Sequence, residues 1–340
     1  MKIARRTVDG PDGQSARILV AAPDDDAWYD LRTAVRLHAL QRGATVESAN
    51  RLAAALVPSS LAQALGGGDV FADAMKRTLD ERPNEAKVVE PVLTNALDPI
   101  TYRDFMVFER HFSFGYKWQG KPVPEIMYEL PISYAGDPRS FLGPDDVIPW
   151  PGYTERLDYE LELGIVIGRT GTDLTPDTAL DHVLGLTILN DVSARDIQAR
   201  EMAGGLGPSK GKHFACVTGP LVTSLDEIDE SGLGMRVRVN GETWCETTSA
   251  EMVWSVAEIV AWASQGEILR PGALLGTGTC NGGSTVEIER MLSPGDVIEL
   301  EIDQLGTLRN RLGQPAAAGW HPKPLSRTAD GEAATVKFLR

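Results

Sequence analysis

In RLDYELELGIVIG, residues 156–168, Asp158, Glu160 and Glu162 alternate with Leu157, Tyr159, Leu161 and Leu163 before the chain turns wholly apolar. Side chains alternate across a strand with a period of two, so the pattern predicts a strand with three carboxylates on one face and the leucines and tyrosine on the other. Further strands are predicted by alternating or short apolar runs in LGLTILNDVS (184–193), GMRVRVNGETW (234–244), TVEIERML (285–292) and DVIELEIDQLG (296–306). VNGE, within 239–242, is a hairpin turn, and SPGD, 293–296, a Pro-Gly turn.

Helical periodicity dominates elsewhere. WYDLRTAVRLHALQRG (28–43) and the Ala- and Leu-rich stretch 49–81 predict helices after a strand at RILVAAP (17–23). One helix is expected inside the β-rich part, over 249–264, with Met252, Val256, Ile259, Val260 and Ala263 on its apolar face and Gly266 at its end. The polar stretch ERPNEAKVVEP (81–91) reads as a linker. It divides a small α+β unit, residues 1–92, from a larger, mainly β unit, residues 93–340. The tail, 316–334, is expected to be irregular.

Composition narrows the partners. With 340 residues, 42% hydrophobic and 24% charged, the chain has enough apolar material for a sizeable core. Its net charge of -15 repels phosphate backbones, and no basic run interleaved with aromatics offsets this, so nucleic acid is not expected. No run approaches the roughly 18 apolar residues of a membrane span, and the start lacks an apolar secretory segment. The expectation is a cytoplasmic protein without a membrane partner. Cys216, Cys245 and Cys280 are far apart and lack CxxC spacing, so they read as reduced packing residues.

The candidate chemistry begins with the acidic strand. Like charges at this spacing repel unless they are solvated or share a cation, and carboxylate oxygens are the ligands that Mg²⁺, Mn²⁺ and Ca²⁺ prefer. Two other segments offer acids beside unusual neighbours. In LGLTILNDVSARDIQARE (184–201) an apolar strand ends at Asn190 and Asp191, and Ser193 is placed to cap a helix carrying Arg195, Asp196 and Gln198. In TYRDFMVFERHFSFG (101–115), Asp104 and His111 are seven residues apart, close to two helical turns, a spacing that lets both face one cavity.

These segments, RDFMVFERHF, LPISYAG, LDYELELGIVIG, LNDVSARDIQ, PSKGKHF and LLGTGTCNGG, occur in an order that resembles the fumarylacetoacetate hydrolase superfamily over roughly residues 100–300. The long region before Asp104 makes the chain look like its two-domain members. The resemblance implies an α+β protein, a mixed β-roll preceded by a small N-terminal domain, and a homodimer. It also implies that Asp104, Glu160, Glu162 and Asp191 ligate one divalent cation, Mg²⁺ before Mn²⁺ or Ca²⁺, with Asp158 as a neighbour.

By the same resemblance His111 is the base, with Glu287, or alternatively Glu289, as its partner. Lys212 matches the lysine near the developing negative charge, and Arg195, Gln198, Tyr134 and Thr279 match substrate contacts. The implied reaction is hydrolysis of a carbon–carbon bond in a 1,3-diketone or acylpyruvate, by His-activated water attack and metal-enolate release. Decarboxylation, isomerisation or dehydration of a 2-oxo acid at the same site is the alternative, and a non-catalytic metal- or ligand-binding protein the alternative of another class. The chain departs from fumarylacetoacetase at Met106 and around GYKWQG, where Gln119 stands nearest to an expected arginine. A more aromatic diketone suits Met106, Phe112, Phe114 and Trp118.

Overall fold

The structure, a computed structural model, describes residues 1–325 apart from 11–12, 24–26, 119, 230 and 324. Gln119 and most of the tail expected to be irregular lie outside the described residues, as does the side chain of Trp118.

The architecture is α+β. An 11-stranded mixed sheet carries strand Leu161–Ile167 near its middle, between Val183–Asn190 and Ala273–Gly276. Beyond Ala273–Gly276 the sheet continues with Thr101–Phe105, which is parallel to it, and then Ser133–Gly136. At the other end, Lys2–Gly10, Gly13–Ala21, Trp28–Asp30 and Lys87–Val88 extend the same sheet, joined to it where Ile3 pairs with Val222. A second sheet of five strands contains Gly234–Val239, Glu242–Thr248 and Val297–Ile302.

Each face of the large sheet is covered by a different layer. Leu161, Leu163, Ile165 and Ile167 point into a core shared with Met235, Val237, Leu300 and Ile302 of the five-stranded sheet. Val166, on the opposite face, joins Leu31, Val57, Leu61 and Phe71 from the N-terminal helices. Those helices are held by local chemistry: Asp30 caps Leu31–Gln41, Thr45 caps Val46–Leu56, and Ser60 caps Leu61–Leu65. Leu161–Ile167, which bears Glu162, is therefore buried on both sides; the single strand expected over 156–168 is broken at Tyr159–Glu160, because Leu157–Asp158 pairs separately with Ser193–Ala194.

Several local expectations are met. The Asn240–Gly241 turn, with both residues at positive φ, closes the hairpin Gly234–Val239/Glu242–Thr248. Others need correction. TVEIERML is not a strand: Thr285–Glu289 form consecutive turns, because Glu287 is directed inward by hydrogen bonds from Gly282 and Ser284, just before the segment, instead of alternating along an edge. The helix expected over 249–264 is shorter, Val256–Ala263, since Ser255 and Glu258 form a capping box that starts it there.

Candidate active site

Four carboxylates come together, two from strands and two from the residues that directly adjoin strand ends. Asp104 lies on Thr101–Phe105, Glu162 on Leu161–Ile167, Glu160 just before that strand, and Asp191 just after Val183–Asn190. All four are buried, and one ligand oxygen from each lies within 4.8 Å of the others. Strand register explains the convergence. Gly276 pairs with both Gly164 and Asp104, so the two acidic strands flank Ala273–Gly276. A Cβ at Gly276 would stand 2.4 Å from Asp104 Oδ1 and 2.8 Å from Glu162 Oε2, so only glycine leaves room for the acids. The Gly278 amide, in the GTGT turn, donates to Asp104 Oδ1 and Glu162 Oε2, each at 3.2 Å.

Cations and hydrogen bonds balance part of this charge. Lys212 Nζ reaches Glu160 Oε2 and Asp191 Oδ2, each at 2.5 Å. Arg195 donates from Nε to Asp158 Oδ2 at 2.8 Å, and its Nη1 lies 2.7 Å from Glu160 Oε1 and 3.0 Å from Gln198 Oε1. Tyr134 donates to Asp191 Oδ2 at 2.6 Å, and Cys216 to Asp191 Oδ1 at 3.3 Å. Asp158 accepts from the Thr285 amide at 2.9 Å as well as from Arg195, so it stands beside the cluster as a brace.

The proton affinities divide accordingly. Burial pushes Asp104 and Glu162 well above the ordinary carboxylate range, and the charge of Asp191 on the first and of Asp104 on the second adds to it. Burial also raises Asp191, against the pull of Lys212. Glu160 goes the other way: burial opposes its charge, but Lys212, Arg195 and His111 together outweigh that and hold it low. Burial would lower Lys212, yet Asp191 and Glu160 keep it raised.

The donor set fits a hard divalent cation. Glu162 Oε1 is buried without a hydrogen-bond partner among the described residues, which is costly unless a cation meets it.

His111 and Glu287 form a pair beside the cluster. His111 Nδ1 lies 2.8 Å from Glu287 Oε2, and its Nε2 is 3.8 Å from Glu160 Oε1. Glu287 also accepts from the Gly282 amide at 3.1 Å and from Ser284 Oγ at 3.0 Å. Its burial raises the carboxyl, but the hydrogen bond and charge of His111 reverse this and leave it lowered. Glu289, the alternative partner, is exposed with φ 54°.

Two local readings of this region are corrected. Asp104 and His111 do not share a helix: Asp104 lies in the strand Thr101–Phe105, and His111 sits in Glu109–Trp118, after Val107 has been tied to Thr277 and Val253. Ser193 does not cap the helix Arg195–Met202; its hydroxyl bonds the Asp191 carbonyl, and Ala194 occupies the cap. Thr279 Oγ1 and Arg195 Nη2 are buried without partners among the described residues, and Gln198 sits beside Arg195. Phe112 packs edge-on against Tyr128 with ring centroids 5.4 Å apart, so its ring is engaged within the fold. Ser284, Cys216 and the space at Gly276 carry no sequence signal of their own; their positions emerge only when distant segments meet.

Residues 102–313 match the family model for the fumarylacetoacetate (FAA) hydrolase C-terminal region. The chain is 30% identical over 267 residues to oxaloacetate tautomerase YisK of Bacillus subtilis, covering 76% of this chain and 87% of that protein. It is 31% identical over 261 residues to the human mitochondrial oxaloacetate tautomerase FAHD2A, covering 75% and 80% respectively. Among solved structures, the fumarylacetoacetate hydrolase from psychrophilic Exiguobacterium antarcticum superposes with a TM-score of 0.68 at 27% identity, over 92% of this chain and 99% of that one.

Proposed function

Because the chain belongs to the fumarylacetoacetate hydrolase superfamily, we propose that it is a divalent-cation-dependent enzyme that interconverts the keto and enol forms of a small 2-oxo carboxylate of the oxaloacetate type. The observation that carries this reading is the His111–Glu287 pair set against the four-acid cluster. The reaction named for relatives that align over three quarters of the chain favours proton transfer over bond cleavage.

Asp104, Glu160, Glu162 and Asp191 would hold the cation, with Mg²⁺ the hard ion they suit. When bound, it would supply Lewis acidity, polarising the 2-oxo group and acidifying the adjacent C–H. The other roles fall to side chains. With Nδ1–H donating to Glu287, the lone pair of His111 is on Nε2, the nitrogen facing Glu160. His111 takes the proton from carbon and returns it to oxygen, and Glu287 stabilises the imidazolium between those steps. Nothing is consumed. Arg195 Nη2 and Thr279 Oγ1 are donors waiting for an acceptor, as a substrate carboxylate would provide, and Gln198 retains its amide N–H groups for the same purpose. Lys212 remains between Glu160 and Asp191 and offsets their charge.

Hydrolysis of an acylpyruvate or 1,3-diketone is the second reading, favoured by one observation: the same imidazole edge can deprotonate a water. Purified protein is assayed for decay of the enol absorbance of oxaloacetate, and in parallel for cleavage of acylpyruvates, with Mg²⁺ or Mn²⁺ and after EDTA. Cation-dependent acceleration of enol decay without cleavage supports the first reading. Cleavage products would move the assignment to the second, and inactivity of the cation-loaded protein on the whole panel would sink both.

A further inference from the structure

The N-terminal layer holds a second concentration of charge, of the opposite sign. Arg17, Arg32, Thr33, Arg36, Asn50, Ala53 and Ala54 line a cavity of about 370 Å³, within the range of small-molecule sites. Arg17 comes from Gly13–Ala21, which lies four strands from Leu161–Ile167 in the sheet order, roughly 19 Å across the sheet. Arg32 and Arg36 are four residues apart on Leu31–Gln41 and share a face of that helix. Asn50 and the two alanines belong to Val46–Leu56, whose small side chains leave the floor open.

Among the described residues the arginines at this cavity outnumber the carboxylates that pair with them. Asp30 accepts from Arg17 at 2.6 Å and from Arg6 at 3.5 Å, and it also caps the helix through the Thr33 amide at 2.9 Å. Arg32 donates Nε to the Val57 carbonyl at 2.7 Å, and its terminal nitrogens have no acceptor among the described residues. The Arg36 guanidinium has no hydrogen-bond or ion-pair partner among the described residues. Arg32 holds its proton less firmly than usual, through burial first and the charge of Arg17 second. Asp30 is shared between Arg17 and Arg6, so Arg32 and Arg36 bring two guanidinium charges to the cavity without an ion-pair partner among the described residues, a surplus that an anion would offset.

We propose that this cavity is a binding site for a small multivalent oxyanion, one carrying phosphate or clustered carboxylate groups, separate from the acid cluster. Guanidinium forks match the paired oxygens of either group, and the Thr33 hydroxyl and Asn50 amide supply neutral donors beside them.

The test is calorimetry on the full-length protein, stripped with EDTA and dialysed, at fixed ionic strength, with inorganic phosphate, pyrophosphate and tricarballylate as separate titrants. Saturable one-site binding is expected, and the stronger of the phosphate and tricarboxylate arms identifies the chemistry. Arg36→Ala and Arg32→Ala should each weaken it at least about tenfold, the loss of a charge-assisted contact. Arg51→Ala, whose exposed partner is Glu47, should leave it unchanged. Mn²⁺ affinity should be the same in all variants, which separates this site from the acid cluster. Absence of saturable binding, or binding that survives Arg36→Ala, would overturn the proposal. So would a change of oligomeric mass in Arg36→Ala by light scattering without any anion bound by the parent, since the arginines would then serve an interface.

Discussion

His111 Nδ1 and Glu287 Oε2 are 2.8 Å apart across 176 residues of chain. Glu287 is in turn fixed by Gly282 and Ser284, so the carboxylate orients the ring. His111→Ala should lower turnover by about 10²–10⁴-fold, the usual worth of a positioned acid–base group, with cation affinity unchanged. Glu287→Gln should lower kcat with little change in KM. Steady-state kinetics together with Mn²⁺ titration checks both, and undiminished turnover by His111→Ala would remove it as the base.

Neutralising one of the four clustered acids, as proposed cation ligands, should have opposite effects on binding and on the metal-free fold. Glu162→Gln removes one of the crowded acids, so cation affinity should fall by more than about 100-fold while the metal-free protein melts at a higher temperature. Asp158→Asn, outside the cluster, should cost about tenfold or less in affinity. Calorimetry and melting curves in EDTA decide it; equal loss in the two variants would place Asp158 among the ligands.

Asp104 and Glu162 have folded-state proton affinities raised above their unfolded values. Their contribution to stability is complete below about pH 4, the ordinary carboxylate range, and is lost as the pH rises through the folded values. The metal-free protein should therefore weaken with rising pH, and the stabilisation given by Mg²⁺ should grow. Melting curves with EDTA or Mg²⁺ at about pH 5 and about pH 8 test this; a Mg²⁺ effect that shrinks with pH would contradict it. Glu160, whose affinity is depressed, contributes with the opposite sign, its share being lost in acid.

Lys212 is 2% exposed and bridges Glu160 and Asp191. Lys212→Met should destabilise the metal-free protein by about 3–5 kcal/mol, because buried carboxylates lose their partner. Mg²⁺ should restore part of that, readable by denaturant titration with and without the ion.

Gly276→Ala would place a methyl 2.4 Å from Asp104 Oδ1. Cation binding should be lost with the far-ultraviolet circular dichroism retained, since the clash is with side-chain oxygens and Leu189 Cδ2. Wild-type affinity in this variant would show that the acids tolerate displacement.

The period-two placement of Glu160 and Glu162 was visible in the chain, as was the Asn240–Gly241 turn, because both are set by neighbours within a few residues. The tying of Thr285 to Asp158 was not: it depends on 127 residues of intervening chain, and TVEIER carries an alternation that in isolation favours a strand. Asp104 and His111 illustrate the same limit. Their spacing suited a helix, but pairing of Thr101–Phe105 with Ala273–Gly276 overrides local periodicity and leaves only His111 helical. The N-terminal strand Lys2–Gly10, polar in half its positions, is held by pairing on both sides and has no apolar run to announce it.

Asp158 accepts from the Thr285 amide, and the Leu161 amide donates to the Gly283 carbonyl, so the turn bearing Glu287 and the segment 158–162 bearing Glu160 and Glu162 are laced together. His111 rides on a different support, the helix Glu109–Trp118. Under the proposed function the base alone stands on a support of its own, while its partner Glu287 shares the acids' support, so a tilt of that helix would stretch the His111–Glu287 contact and slow proton transfer before it disturbed cation binding.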